Sequence, residues 1–324
     1  MMRKATGALL GMITSVGVLF ACSHEATTHS QEMNEFTIGY QKNAITLMLR
    51  EDEQFHADLE ALGYSVDWAE FNTGSSTLEA LGTESVDIAN AGDIPSLYAI
   101  ANNHPIRYIA STESAPHSQG ILVQRDTDIE DIGDLEGKRI AFNRASIAHY
   151  LTLKTLEKEG LDLENVRPVY LDPPDAILAM ERGEIDAWVV WDPYLAAGEE
   201  RGHEVISTSE DVVAYRSFYF TNEAFLTDHP EALEVYVDAV IRIGEEVEDD
   251  PSIATPLLFE ETGLSEETWH RILDRGINIA DYNGPGVEED LQQQADDLLE
   301  LGFIDDPLEM DSYIVEGKEL SNDE

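Results

Sequence analysis

Small polar residues occupy four positions where a predicted strand gives way to a predicted helix. These turns are Thr73-Gly74-Ser75-Ser76, Ala91-Gly92-Asp93, Arg144-Ala145-Ser146 and Trp191-Asp192-Pro193. A helix N-terminus has unpaired backbone N–H groups and a partial positive charge, so each turn could donate hydrogen bonds to an anion. In α/β sheets such turns gather at the carboxyl ends of the strands. We predict that the four turns converge across a cleft on a small ligand, although helix capping alone explains any one of them.

Aromatic residues stand beside two of these turns. Trp188 and Trp191 flank the end of a short apolar strand, and His149 and Tyr150 lie one turn into the helix that begins near Ser146. An exposed tryptophan is unfavourable unless it meets a ligand or a partner. We therefore expect Trp188 to lie in the core and Trp191 to line the cleft.

Signatures of catalysis are missing from the sequence. The nine histidines are scattered, without HExxH or a pair at helical ligand spacing, and neither GxSxG nor a P-loop occurs. The many acidic side chains are explained as solvated surface groups rather than as acid–base pairs. The sequence thus predicts a protein that is not an enzyme and that carries no metal or cofactor.

The chain is strongly acidic. Its 324 residues include 19 Lys+Arg and 66 Asp+Glu, a formal net charge of −47. Such a surface repels nucleic acids and anionic membranes, which excludes nucleic-acid binding. We interpret the acidity as a solvated coat suited to high salt, with compositional drift as the alternative. Any anion site must be local and built from aimed donors.

The N-terminal segment has the features of a targeting signal. Arg3 and Lys4 precede an uncharged apolar stretch over residues 7–20, which ends in Leu19-Phe20-Ala21-Cys22. This stretch is too short to span a membrane, and its end resembles a bacterial lipobox. Cys22 is the single cysteine of the chain. We expect a signal peptide over residues 1–21, a lipid on Cys22, a tether over residues 22–34, and an extracytoplasmic body without disulfides.

Strand and helix patterns alternate from Glu35 to about Thr221, which predicts an α/β fold with mostly parallel sheets. A similar pattern of helix, acidic turn, buried strand and Asp occurs twice, around Asp93 and around Asp192, and favours two similar lobes. We expect lobe 1 over residues 35–118, lobe 2 over 119–212, and a return to lobe 1 with C-terminal helices over 213–324. The helical segment is expected to pack on one lobe. Hinges are expected near 118–120 and 207–215.

The order and spacing of several motifs resemble the substrate-binding protein of bacterial aliphatic-sulfonate ABC importers, within the wider nitrate/sulfonate/taurine class. The resemblance extends from about Phe36 to Phe225. The motifs are Asn72-Thr73-Gly74-Ser75-Ser76, Ala91-Gly92-Asp93-Ile94-Pro95, Ser146-Ile147-Ala148-His149-Tyr150-Leu151, Ile185-Asp186-Ala187-Trp188 and Trp191-Asp192-Pro193-Tyr194. The family implies a two-lobed, type II-like periplasmic-binding fold that captures a small organic anion and delivers it, as a monomer, to a membrane permease and its ATPase.

The resemblance also implies which residues hold the ligand. The family's cleft positions correspond here to Gln41, Ser75, Ser76, Gly92, Asp93, Ser118, Ser146, His149, Trp191 and Asp192. One departure stands out: the family usually has a Gly-Ser-Ser turn before the histidine, whereas this chain has Arg144-Ala145-Ser146-Ile147. Ile147 replaces a hydroxyl, and Arg144 could supply a charge-assisted bond instead.

Other functions remain open from the sequence. The same fold could bind nitrate, taurine, or an aromatic or vitamin-like solute. A thiamin-pyrimidine type of enzyme shares the fold, but those relatives carry a cysteine-rich motif that this chain does not have. A sensory domain that presents its ligand to a receptor is a third alternative.

Overall fold

The part of the chain that the structure describes forms eleven strands in two separate β-sheets. The computed structural model describes residues 33–317 apart from Asp211, Ile277, Asn278, Pro285 and Glu316. The expected signal peptide and Cys22 lie outside the described residues. The strands are β1 (Asn34–Tyr40), β2 (Tyr64–Glu70), β3 (Ile88–Gly92), β4 (Ile106–Thr112), β5 (Gln119–Val123), β6 (Arg139–Phe142), β7 (Arg167–Tyr170), β8 (Ala187–Trp191), β9 (Glu204–Thr208), β10 (Ser217–Asn222) and β11 (Ala280–Tyr282).

Helices connect most of these strands. They are α1 (Ala44–Glu51), α2 (Glu53–Leu62), α3 (Gly74–Gly82), α4 (Asp93–Ala101), α5 (Ile147–Lys158), α6 (Pro173–Glu181), α7 (Tyr194–Glu200), α8 (Glu223–Asp228), α9 (Pro230–Asp249), α10 (Thr255–Thr262), α11 (Glu266–Leu273) and α12 (Val287–Glu300). No helix in the described part of the chain is both long enough and apolar enough to cross a membrane.

The two sheets define two lobes. The first lobe holds a six-stranded sheet in the order β11-β4-β10-β3-β1-β2, and the second a five-stranded sheet in the order β7-β6-β8-β5-β9. Strands β1, β2 and β3 are parallel, as are β6, β7 and β8, whereas β10 and β5 run antiparallel to their neighbours. The predicted α/β class with two sheets is confirmed. The expectation of mostly parallel sheets is wrong, because five of the nine strand pairings among the described residues are antiparallel. The chain crosses between the sheets twice, through residues 113–118 and 209–216.

The sequence pattern over residues 49–62 predicts one helix, but the structure has two. Asp52 adopts an extended backbone between α1 and α2, and its Oδ1 accepts the Phe55 N–H at 2.7 Å. The same carboxylate pairs with Arg242 of α9 at 2.6 Å. An aspartate at this position favours a helix N-cap over a continuous helix, because its side chain replaces a missing backbone acceptor.

The C-terminal helices share a core with the first sheet. Tyr236 of α9 and Trp269 of α11 are fully buried with Ile38 of β1 and Tyr219 of β10 in one hydrophobic cluster. These helices also contact the second lobe: α11 packs on α7, and Tyr150 of α5 donates to Asp297 of α12 at 2.5 Å. The expectation of packing on one lobe is therefore incomplete.

We predict that Asp52→Ala lowers the free energy of unfolding by about 1–2 kcal/mol, because it removes an N-cap together with a partner of Arg242. Urea denaturation measures the change. Asp58→Ala, on the exposed face of α2, is the matched control and should change stability by less than about 0.5 kcal/mol. Equal effects of the two substitutions would contradict the role of Asp52.

Candidate functional site

A cavity lies between the two sheets and receives residues from both lobes. Its volume is about 60 Å³, several times the space that one water molecule needs. The first lobe contributes Gln41, Lys42, Asn43, Gly74, Asn90, Ala91, Gly92, Pro95 and Ser217. The second lobe contributes Ser146, Ile147, Trp191, Asp192, Pro193 and Tyr194, and Tyr215 comes from the second crossing. The cavity therefore lies where the carboxyl ends of several strands meet.

Helix α3 presents its N-terminus to this cavity from the first lobe. Thr73 caps the helix by accepting the Ser76 N–H at 3.2 Å. Within the described residues no acceptor meets the N–H groups of Gly74 and Ser75. Glycine at position 74 permits a close approach, since a Cβ there would lie 3.0 Å from the Ala91 Cβ, which is tighter than an ordinary contact. The backbone of α3 can therefore donate to a ligand.

Helix α5 presents its N-terminus from the second lobe. The Ser146 hydroxyl donates to the Asn143 carbonyl at 2.7 Å and accepts the His149 N–H at 3.4 Å. Among the described residues the N–H groups of Ile147 and Ala148 have no acceptor. The Ser75 hydroxyl donates to the Ala145 carbonyl at 3.2 Å, so the two helix ends touch across the cleft. Two partial positive charges thus converge on one cavity.

Helix α4 differs, because the carboxylate of its own first residue, Asp93, binds a backbone N–H group at its N-terminus. Asp93 is 1% exposed, and its Oδ1 accepts the Ile94 N–H at 2.7 Å. Its Oδ2 accepts a bond from Gln294 of α12 at 2.8 Å. Burial raises the pKa of Asp93 to about 7, against the opposing effect of these hydrogen bonds. Ala91 and Gly92 of this turn line the cavity, whereas Asp93 does not.

Asp192 lines the cavity but is engaged by protein groups. Its Oδ1 accepts the Ala196 N–H at 3.0 Å, and Arg275 contacts both carboxylate oxygens at 2.9 and 2.8 Å. Arg275 also bonds Glu199 at 2.5 Å. Burial raises the pKa of Asp192 to about 6, and the charge of Arg275 opposes this rise. The carboxylate therefore orients the α7 turn and ties it to the C-terminal segment.

The other predicted residues lie around the cavity rather than on its wall. The Ser76 hydroxyl donates to the Thr73 carbonyl, and the Ser118 hydroxyl, in the first crossing, donates to the Ala115 carbonyl at 2.7 Å. His149 stacks on Phe142 with ring centroids 5.0 Å apart. Burial, followed by the charge of Arg144, lowers the pKa of His149 to about 4, so the ring is neutral at pH 7.

Sequence reasoning placed Gln41, Gly92, Ser146, Trp191 and Asp192 on the same wall, and the structure brings these five together. The amide of Gln41 donates to the Asn90 carbonyl at 3.4 Å. As expected, Trp188 is buried, at 1% exposure.

Sequence reasoning missed several lining residues, among them Lys42, Asn90 and Tyr215. Asn90 could have been identified from sequence, because it is a polar residue inside an apolar strand. Its Oδ1 is buried without a partner among the described residues. Tyr215 lies in a crossing without periodic pattern and packs on Gly92, where a Cβ would lie 3.1 Å from its ring. Lys42 bonds the Glu261 carbonyl and lies 3.6 Å from Glu70, which offsets its charge.

The arrangement suits binding an anion through backbone amides and hydroxyl groups. Within the described residues no group of three or more His, Cys, Asp or Glu side chains is arranged to hold a metal ion.

Relatives of known description match this chain. The family model NMT1/THI5 like matches residues 60–254. A putative aliphatic sulfonates-binding protein of Escherichia coli is 33% identical over 202 residues, which are 62% of this chain and 63% of that protein, slightly less than two thirds of its length. A putative aliphatic sulfonates-binding protein of Bacillus subtilis is 24% identical over 94% of each chain.

The alkanesulfonate-binding protein SsuA from Xanthomonas axonopodis pv. citri, solved with bound MOPS, superposes with a TM-score of 0.80. Sequence identity is 27%, and the match covers 88% of this chain and 99% of that one. The two sheets and the cleft between them define this chain as having the periplasmic-binding-protein fold. The chain belongs to the NMT1/THI5 like family, and the predicted resemblance to aliphatic-sulfonate-binding proteins is confirmed.

We predict that Arg275→Met lowers the free energy of unfolding by about 3 kcal/mol at pH 8, because it leaves the Asp192 carboxylate buried without its cation. The pKa of Asp192 in the folded protein is already raised, so the carboxyl gains a proton as the pH falls and the loss shrinks by pH 5. Urea denaturation at both pH values measures this. Arg271→Met, at an exposed position of α11, is the control; an equal loss at pH 5 and pH 8 would contradict the assignment.

Proposed function

We propose that this protein is the substrate-binding component of an ABC importer, that it captures an aliphatic sulfonate or similar small organic anion between its lobes, and that it delivers this solute to a permease with its ATPase. The carrying observation is the convergence of the α3 and α5 N-termini, from opposite lobes, on one cavity. Homologues named as sulfonate-binding proteins support the class of ligand.

The chemistry of the cavity fits a sulfonate headgroup. A sulfonate carries a fixed charge spread over three oxygens, and it can accept several N–H and O–H bonds without a full counter-charge. Gly74, Ser75, Ile147 and Ala148 supply N–H groups. Ser146 supplies its hydroxyl by exchanging its bond to the Asn143 carbonyl for one to the ligand. Trp191 and Tyr194, with ring centroids 6.4 Å apart in an edge-to-face arrangement, offer an apolar surface to an alkyl tail.

The ten residues singled out in the sequence divide by position in this proposal. Gln41, Gly92, Ser146 and Trp191 contact the ligand, and Ser75 closes the cleft through Ala145. Ser76, Ser118, His149, Asp93 and Asp192 hold the surrounding turns in place. Arg144 lies over the Tyr170 ring, 5.4 Å from its centroid, and could reach a ligand that extends out of the cleft.

Movement of the lobes uses the two crossings, residues 113–118 and 209–216. The position of these crossings supports our proposal of lobe 1 over residues 35–118, lobe 2 over 119–212 and the return to lobe 1 over 213–324. Because the Ser75–Ala145 bond joins the lobes directly, opening of the cleft must break it. Binding of an anion at both helix N-termini would favour closure.

We further propose that the protein acts outside the cytoplasm as a lipid-anchored monomer. The lipobox-like segment ending at Cys22 supports the anchor, and residues 22–34 would be the tether. The net charge of −47 supports a solvated acidic coat and work at high salt.

Binding rather than catalysis is the proposed activity, because the named relatives are binding proteins. The fold itself does not decide this, since the desulfurization enzyme DszB shares it at 17% identity and a TM-score of 0.68.

Taurine is the nearest rival ligand, since a taurine-binding protein of Escherichia coli is 30% identical over 75% of this chain. Calorimetric titration with alkanesulfonates, taurine and nitrate discriminates these ligands. Micromolar or tighter binding of an alkanesulfonate is expected, and exclusive binding of nitrate would contradict the proposal.

We predict that Ser146→Ala weakens alkanesulfonate binding by a few-fold to tens-fold, on the scale of ~1–2 kcal/mol for one hydrogen bond to a charged group. Isothermal titration calorimetry measures the change. Ser85→Ala, at an exposed position, should leave the dissociation constant unchanged. Unchanged affinity of the Ser146 variant would remove this hydroxyl from the site.

A further inference from the structure

A carboxyl group without a neighbouring cation lies directly behind the anion cavity. Asp93 follows Gly92, which lines the cavity, and its side chain is fully enclosed. Both oxygens bond uncharged donors, the Ile94 N–H and the Gln294 amide, and the backbone N–H of Arg216 is a further uncharged group that favours the carboxylate. Asp192 is the contrasting case, since Arg275 neutralises that carboxylate. An ionised Asp93 would therefore repel an anion held in front of it.

The titratable groups around Asp93 are either uncharged or already part of an ion pair. Tyrosines approach it from three elements: Tyr108 of β4, Tyr150 of α5 and Tyr215 of the second crossing. Burial raises the pKa of each hydroxyl, so all three are uncharged at pH 7. The charged groups nearby are paired: Arg216 with Asp290, and Lys154 with Asp297. No described cation is thus available to hold Asp93 in its ionised form.

The site can also accommodate the protonated form. A buried carboxylic acid needs an acceptor for its proton. The Oε1 of Gln294 is buried without a partner among the described residues. Rotation of this amide would present Oε1 to Asp93, at the expense of the bond from Nε2 to the Ala214 carbonyl.

We propose that Asp93 is a positioning and specificity-determining residue that couples anion capture to proton uptake: the protein holds its anionic solute most tightly when the Asp93 carboxyl is protonated. This inference rests on the proposed function. It also gives Asp93 a part in ligand selection. The protonated carboxyl favours ligands that carry only a negative charge, whereas an ammonium group on the ligand would favour the ionised carboxylate.

The sign of the pH dependence follows from linkage. In the ligand-free protein burial raises the pKa of Asp93 to about 7. A bound anion raises this pKa further, so binding takes up protons near and above pH 7, and affinity falls as the pH rises. Displacement of the pKa by one unit corresponds to about a tenfold loss of affinity between pH 6 and pH 8.5.

The test uses the full chain and ethanesulfonate, whose headgroup does not titrate in this range. Calorimetry from pH 6 to pH 8.5 should show the tenfold fall. At pH 7.5, repetition in two buffers of different ionisation enthalpy should show net proton uptake in the wild type. Because the buffer measurement needs no variant, it tests the proposal even if a substitution at Asp93 prevents folding. Constant affinity without proton uptake, or affinity that rises with pH, would overturn it.

Substitutions assign the effect to one carboxyl. Asp93→Asn should abolish the pH dependence and bind ethanesulfonate more tightly than the wild type at pH 8.5. Asp296→Asn, at an exposed position of the same helix α12, is the matched control and should keep the wild-type slope. Loss of the slope in Asp192→Asn instead of Asp93→Asn would contradict the assignment. Absence of binding by every anion at pH 6 would overturn the proposed function itself, whereas binding without a slope overturns only this inference.

Discussion

The structure depends on two helix N-termini meeting across a cleft with their first N–H groups unpaired. Gly74 and Ser75 provide them from one sheet, and Ile147 and Ala148 from the other. In a chain with a net charge of −47, the field of the whole molecule opposes an anionic ligand. Only donors fixed within hydrogen-bond reach can overcome that repulsion. The fold fixes them by joining each helix to the end of a strand, α3 to β2 and α5 to β6.

Acidic side chains close to the cavity bond protein groups and hold the cavity wall in place; they do not bind the ligand. Asp192 caps α7 and binds Arg275, so the cleft wall is tied to the segment after α11. Asp93 likewise occupies the N-terminus of α4. The site thus combines two open helix ends, at α3 and α5, with two that carboxyls close, at α4 and α7. The open ends favour an anion, and in our proposal its affinity depends on the protonation of Asp93.

Most of the fold could be predicted from sequence because the strands and helices follow local rules. Alternating apolar segments gave the order of elements, and Ser146 and Thr73 marked helix starts through capping. The break at Asp52 was missed because a continuous apolar pattern hides a cap that depends on backbone geometry. The links from Arg275 to Asp192 and from Gln294 to Asp93 join residues more than 80 positions apart, and no local pattern encodes such pairs.

The candidate site was only partly predictable for the same reason. Turn residues identified Gly92, Ser146 and Trp191, but sequence cannot say which way a hydroxyl points. Ser76 and Ser118 therefore look equivalent to Ser146. The hydroxyls of all three bond nearby backbone carbonyls, but only Ser146 lines the cavity. Tyr215 could not be identified from sequence, because it reaches the cavity only through the path of the second crossing, which places its ring against Gly92.

The most direct measurement of the central claim is a crystal structure of the protein with bound ethanesulfonate. The account predicts sulfonate oxygens within about 3 Å of backbone nitrogens at the starts of both α3 and α5, a normal N–H···O distance. A sulfonate held instead by the side chains of Lys42 or Arg144, with both helix ends left to solvent, would contradict it.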